Sequence, residues 1–116
     1  ETEIIKEPFN MQFSINLYSQ INTIDKPKNI MFIDYGKLKF PLLIRPWREG
    51  DIFTPLGMKG SKKLSDYFID NKYSLIQKKK ARLLISDNTI VCVIGDRLDD
   101  RFKLVETSEK VYIVTL

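Results

Sequence analysis

Residues 9–17, FNMQFSINL, alternate between apolar and polar side chains without a break. Phe9, Met11, Phe13, Ile15 and Leu17 fall on one face, and Asn10, Gln12, Ser14 and Asn16 on the other. A period of two belongs to an extended strand, and a strand with one greasy face is stable only in a sheet laid against a core. The 116 residues are enough for one such core, and the apolar share of 43% is that of an ordinary globular domain. β-Structure is therefore the first requirement on the fold.

Further strand signals follow. IMFID (30–34) is a short, continuously apolar run, and KFPLLIR (39–45) is another strand candidate. Pro41 cannot donate to a ladder, so it belongs at that strand's start or on an edge. In RLLISDNTIVCVIG (82–95) two apolar runs meet at Asp87-Asn88, the pattern of a tight hairpin. VYIVTL (111–116) reads as a closing strand, TIDKPKN (23–29) as a loop, DYGKL (34–38) as a turn, and PWREGDIFTPLGMKGS (46–61) as structured loop. Helix is expected in one place. Ser61 is placed to cap a helix from Lys62 to about Lys72, with Leu64, Tyr67 and Phe68 on one face; Ser74 is placed to cap a second, shorter one. The expected class is α+β and β-rich: a small curved sheet or barrel with helices near 61–72 and 74–80.

The sequence contains no histidine, which removes the commonest general base, triad member and zinc ligand. Its single cysteine, Cys92 in IVCVIG, has no partner for an internal disulfide and reads as a core residue of a reduced, intracellular protein. No stretch resembles a signal peptide or has the length of a membrane span, so no membrane partner and a cytoplasmic location are expected. A binding site is expected rather than a catalytic one, with no catalytic residue, no metal ligand and no cofactor in these residues.

The net charge of +4 is unevenly spread. Residues 45–82 hold ten basic and four acidic side chains, whereas residues 1–44 are balanced and 83–116 are slightly acidic. An isolated basic block points to an anionic partner, nucleic acid first, although a solvated basic face would look the same. Within the block, Gly57, Gly60 and the Ser61 helix start are placed to form an anion-gripping loop. Glycines let backbone approach a ligand, a helix start offers free N–H groups, and Lys59, Lys62 and Lys63 add charge. Gly57 and Gly60 could equally do no more than shape a turn. In RPWREGD, Arg45 and Arg48 bracket Trp47. The arginine forks suit phosphates, Trp47 is read as the loop's core anchor, and Asp51 as its tie or the partner of Arg48. In QKKKAR the cations point several ways and read as a solvated face.

The stretch IRPWREGDIFTPLGMKGSKKLSDYFIDNK resembles the C-terminal domain of bacterial tRNA(Ile)-lysidine synthetases. The shared pattern falls on Arg45, Trp47, Arg48, Gly50 and Asp51, then Pro55, Leu56, Gly57, Met58 and Gly60, then Lys62, Lys63, Leu64, Ser65, Asp66 and Phe68. Downstream, VIGDRLDDRFKL is similar at Gly95, Arg97, Arg101, Phe102 and Lys103. The resemblance is strongest over 42–104. The chain departs from it at Ala81-Arg82, where the family often has Trp-Pro. The family's Ser-Gly-Gly-x-Asp-Ser ATP motif, which lies in an N-terminal catalytic domain, is not in these residues.

The resemblance implies a fold similar to a domain of the phenylalanyl-tRNA synthetase β-subunit, with residues 9–116 as one tRNA-binding domain and 1–8 as a linker remnant. It implies a full-length enzyme that uses ATP and magnesium to attach lysine to the wobble cytidine of the isoleucine tRNA with a CAU anticodon. This domain would grip the acceptor arm, through Arg45, Arg48, Lys59, Lys62 and Lys63, then Arg97 and Arg101, whose charge Asp96, Asp99 and Asp100 could offset. Asp66 and Phe68 are assigned structural roles, Asp66 through pairing with a nearby lysine or arginine. Two alternatives stand beside this: a dimerisation or interdomain docking module, and a tRNA-editing hydrolase.

Overall fold

The computed structural model describes residues 3–5, 11–20 and 29–116. Phe9 and Asn10, residues 1–2 and 6–8 of the expected linker, and 23–28 of the expected loop lie outside them. In chain order the elements are β1 (Glu3–Ile5), β2 (Met11–Leu17), β3 (Ile30–Asp34), β4 (Leu43–Pro46), β5 (Ile52–Phe53), β6 (Lys62–Lys63), α1 (Leu64–Asp70), α2 (Leu75–Lys80), β7 (Arg82–Ser86), β8 (Thr89–Val93), β9 (Arg97–Leu98) and β10 (Lys110–Thr115). They divide into two units, Glu1–Leu38 with Phe102–Leu116, and Lys39–Arg101.

The first unit is an antiparallel sheet in the order β1-β2-β10-β3. Residues 3–5, expected as linker, pair with β2. The central strand, β10, buries Val111, Tyr112 and Val114, and the Tyr112 ring stacks on Phe13 at 5.5 Å. In β2 the alternation buries Met11 and Phe13 and then fades, leaving Leu17 48% exposed where it pairs with Lys110 at the sheet's end. Buried Asp34 is satisfied by the Gly36 N–H at 3.1 Å and the Ser108 hydroxyl at 3.0 Å.

The second unit carries the motifs. Its antiparallel sheet runs β4-β7-β8-β9, and β5 pairs with β6 beside it. Of the sheet and the barrel expected, the strand orders are those of small open sheets. The β7–β8 hairpin turns at Asp87 and Asn88, whose φ angles of 49° and 60° are those of a two-residue primed turn. Pro41 precedes β4, which is an edge strand, so its missing N–H costs no ladder bond. The core joins Phe53, Leu64, Tyr67, Phe68, Leu83, Ile85, Ile90 and Val93.

Helix α1 presents Leu64, Tyr67 and Phe68 to that core, as their spacing requires. It does not start at Ser61, and this corrects the expected boundary. Lys62 and Lys63 are extended and paired with Phe53 and Ile52, so their backbone groups serve a ladder, and the helix opens at Leu64 with no side-chain cap from Lys63. It ends in a Schellman closure. Tyr73 N–H reaches Phe68 O at 2.9 Å, Lys72 N–H reaches Ile69 O at 3.0 Å, and Lys72 takes a φ of 56°. Helix α2 begins as expected at Ser74, in a full capping box with Gln77, and buries no residue.

Candidate nucleic-acid interface

The loop from Arg45 to Asp51 is organised by one carboxylate. Asp51 accepts two parallel bonds from the Arg45 guanidinium, both 2.9 Å, and the Arg48 backbone N–H at 2.7 Å. The forked pair raises the Arg45 pKa and holds the Asp51 carboxyl below its ordinary value. Asp51 N–H returns to Arg48 O at 3.1 Å, closing a turn whose third residue, Gly50, sits at φ 92°. Trp47 leaves this loop for the core and meets Phe68 edge-on at 5.1 Å. Arg45 is thus a largely buried strut with 17% side-chain exposure. Arg48 is exposed, and its guanidinium has no hydrogen bond or ion pair among the described residues.

The next loop is a turn of the same kind. Met58 N–H bonds Pro55 O at 2.9 Å, with Gly57 at φ 89° in the third position. The Gly57 N–H donates to Asp100 Oδ1 at 3.1 Å, so the backbone donor expected to meet an anion already holds a carboxylate. Gly60 is outside the left-handed region, and Ser61 is exposed three residues before the helix. A seven-residue helix that starts at Leu64 offers Ser61 no cap position. The anion-gripping backbone expected of Gly57, Gly60 and Ser61 is therefore not assembled as expected. Lys62 is paired with Asp70, while Lys59 and Lys63 are exposed and without an ion pair among the described residues.

Beside this loop lies a buried acid that does more than offset charge. Asp99 is fully buried and accepts four bonds, from Thr54 N–H (2.9 Å), Arg101 N–H (2.8 Å), Arg101 Nε (2.9 Å) and Arg101 Nη2 (2.8 Å). The Arg101 pKa is raised by that fork. Arg97 donates to Leu56 O at 2.9 Å and so braces the turn. Asp96 offsets neither arginine by contact. It accepts the hydroxyls of Tyr67, at 2.8 Å, and Tyr73, pinning α1 to the β8–β9 turn. Burial and the Asp96 charge push both phenol pKa values up. Asp66, expected to pair with a cation, has no such partner among the described residues; in the first turn of α1 it faces a helix N-terminus, which favours an acid. Tyr73 and Asp96 were missed as a site because only the fold brings α1's end to that turn.

Helix α2 closes with Lys78, Lys79 and Lys80 in its last turn, and Arg82 donates to Lys79 O and Ala81 O, both at 2.9 Å. Cys92 is fully buried, and desolvation pushes its thiol up to about 12, far from a nucleophile's range. The unit thus divides its cations. Arg45, Lys62 and Arg101 answer carboxylates and Arg97 a carbonyl, while Arg48, Lys59 and Lys63 face outward.

Comparison with known proteins gives this arrangement a family. The family model described as the TilS substrate C-terminal domain matches residues 42–114. The tRNA(Ile)-lysidine synthase of Parabacteroides distasonis is 47% identical over 114 residues, which is 98% of this chain and 26% of that protein. The enzyme of the same name from Bacteroides thetaiotaomicron is 40% identical over 90 residues, 78% of this chain and 21% of that protein. The chain therefore spans about a quarter or less of the curated relatives it matches. A crystal structure of a TilS C-terminal domain superposes with a TM-score of 0.71, covering 90% of this chain and 82% of that one at 17% identity. An N-terminal fragment of the phenylalanyl-tRNA synthetase β-subunit from Pyrococcus horikoshii gives 0.63, covering 73% and 27% at 19% identity, so the shared fold is the one expected. By family model and by sequence identity across nearly its whole length, the chain belongs to the tRNA(Ile)-lysidine synthase family, in its C-terminal domain.

Proposed function

We propose that residues 9–116 form the tRNA-gripping domain of a longer, cytoplasmic tRNA(Ile)-lysidine synthase. The domain holds the acceptor arm of the isoleucine tRNA with a CAU anticodon, while an N-terminal catalytic domain uses ATP and magnesium to attach lysine to the wobble cytidine. The observation that carries this reading is the set of outward cations, Arg48, Lys59 and Lys63, standing on one unit of a chain from this family. Their neighbours are locked into ion pairs and hold the loops in shape, so the outward three need no reordering to meet phosphates. A-form RNA offers those phosphates and a shallow groove, and is read mostly by shape and charge. ATP and magnesium have no fitted seat here. The glycine loop lacks a nucleotide-binding motif, and among the described residues no group of His, Cys, Asp and Glu could hold a metal.

The test is a salt titration of binding to a tRNA acceptor-stem hairpin. Arg48→Ala, Lys59→Ala and Lys63→Ala each lower the magnitude of the slope of log K against log salt by about 0.7–0.9, similarly for different RNA sequences. Lys62→Ala lowers it less, because Asp70 already answers that charge. Slopes unchanged in all three, with the fold intact by circular dichroism, sink the reading. A second reading, homodimerisation or docking onto the catalytic domain, draws on Ile69, Leu75 and Ile76, which are 68%, 73% and 65% exposed on the two helices. A concentration-dependent sedimentation coefficient lost in Leu75→Ser/Ile76→Ser would favour it.

A further inference from the structure

The unit formed by Lys39–Arg101 contains a cleft of about 360 Å³, bordered by Arg45, Ile52, Thr54, Asn88, Thr89 and Arg101. That is the lower end of the range of about 300–1,000 Å³ found for small-molecule sites. Its walls are polar, yet their charges are balanced. Asp51 answers Arg45 and buried Asp99 answers Arg101, each through two bonds that fix the guanidinium plane. A phosphate entering the cleft would meet no unanswered charge. A neutral group with a hydrogen-bonding edge meets a good deal more. Arg45 uses three of its five N–H groups and Arg101 two, among the described residues, and the side-chain amide of Asn88 is uncommitted there. Fixed guanidinium planes and the exposed Ile52 side chain supply flat and apolar surface for stacking.

Two of the outward cations, Lys63 and Arg48, stand on segments that join residues bordering this cleft. Lys63 is the cross-strand partner of Ile52, so the two side chains share a face. Arg48 opens the turn that closes on Asp51. Charge for a sugar–phosphate chain thus lies beside a neutral, polar recess for what hangs from that chain. Bases inside a duplex are stacked and cannot enter, whereas a base in a single-stranded end or bulge can. We infer that this cleft seats one unpaired nucleobase of the bound RNA, with Asn88 and Thr89 meeting its polar edge; this deepens the RNA-binding reading above and rests on it.

Two measurements on the 116-residue chain test it. The first compares two RNA hairpins with the same stem, one blunt and one with a short single-stranded 3′ extension. The parent binds the extended hairpin about tenfold more tightly, the worth of one well-stacked base. Asn88→Gly/Thr89→Val loses that gain and leaves the blunt hairpin's affinity unchanged. Glycine suits the φ of 60° and valine suits a strand, so the hairpin is kept. The second titrates cytidine, adenosine and inorganic phosphate separately, following amide resonances. The nucleosides move Thr54, Asn88 and Thr89, and phosphate does not. Equal affinity for both hairpins with unmoved amides overturns the inference, as does a tenfold gain that survives the double substitution. If neither hairpin binds but the nucleosides still move those amides, the RNA reading fails and the nucleobase cleft stands.

Discussion

Gly57 and Gly60 look interchangeable in GMKG, and their backbones separate them. Gly57 holds φ 89° at the turn position that requires it, whereas Gly60 is outside the left-handed region with nothing within 4 Å of an added Cβ. Gly57→Ala is expected to cost about 1–2 kcal/mol. Gly60→Ala is expected to be neutral or to stabilise by up to about 1 kcal/mol, through the lost freedom of the unfolded chain. Urea unfolding followed by the fluorescence of Trp47, the only tryptophan, reads both. Asp51 gives a pH prediction. The Arg45 fork depresses its folded pKa, so the stability it contributes is complete above its unfolded pKa of about 4 and is lost as pH falls from there through the folded value. Asp51→Asn should therefore lower stability at pH 7 and flatten the acid limb below about pH 4. An acid limb as steep as the parent's would refute the assignment.

Helix α2 is held differently from its neighbour. It buries no residue, so its order depends on its ends. Ser74 N–H donates to Gln77 Oε1 at 2.7 Å and Gln77 N–H to Ser74 Oγ at 3.1 Å. Ser74→Ala should cost about 1 kcal/mol locally, seen as faster hydrogen exchange at the Gln77 and Lys78 amides with little change at Leu83 or Val93. An unchanged rate at Gln77 would show that the helix does not rely on this cap. The two helix starts also mark the limit of what the sequence discloses. Ser74 was legible because the capping box is local. Ser61 misled because Lys62 and Lys63 are claimed by Ile52 and Phe53, partners that no short window contains. The Asp87-Asn88 hairpin and the spacing of Leu64, Tyr67 and Phe68 were local signals and read correctly. The buried carboxylates were not legible. That Asp99 serves Arg101 and Thr54, and that Asp96 serves two tyrosines, depends on which turns the fold brings together.

Across the whole chain, the charge divides with the units. Lys39–Arg101 holds 13 basic and 8 acidic residues, whereas Glu1–Leu38 with Phe102–Leu116 holds 6 and 7. RNA added to the labelled chain should shift amides within 39–101 and leave those of β2 and β10 in place; shifts concentrated in β10 would move the interface to the other unit. The same division bears on synthesis. β10 lies between β2 and β3, so the first sheet cannot assemble until residues 110–115 have left the ribosome, by which time every strand of the other unit has been made. The basic unit can thus fold while its host sheet is still an open pair of strand segments waiting for a middle. A stalled or clipped chain ending near Lys103 would keep the basic loops of 39–101 and leave β2 and β3 with unpaired inner edges, the kind of edge that recruits strands from other chains.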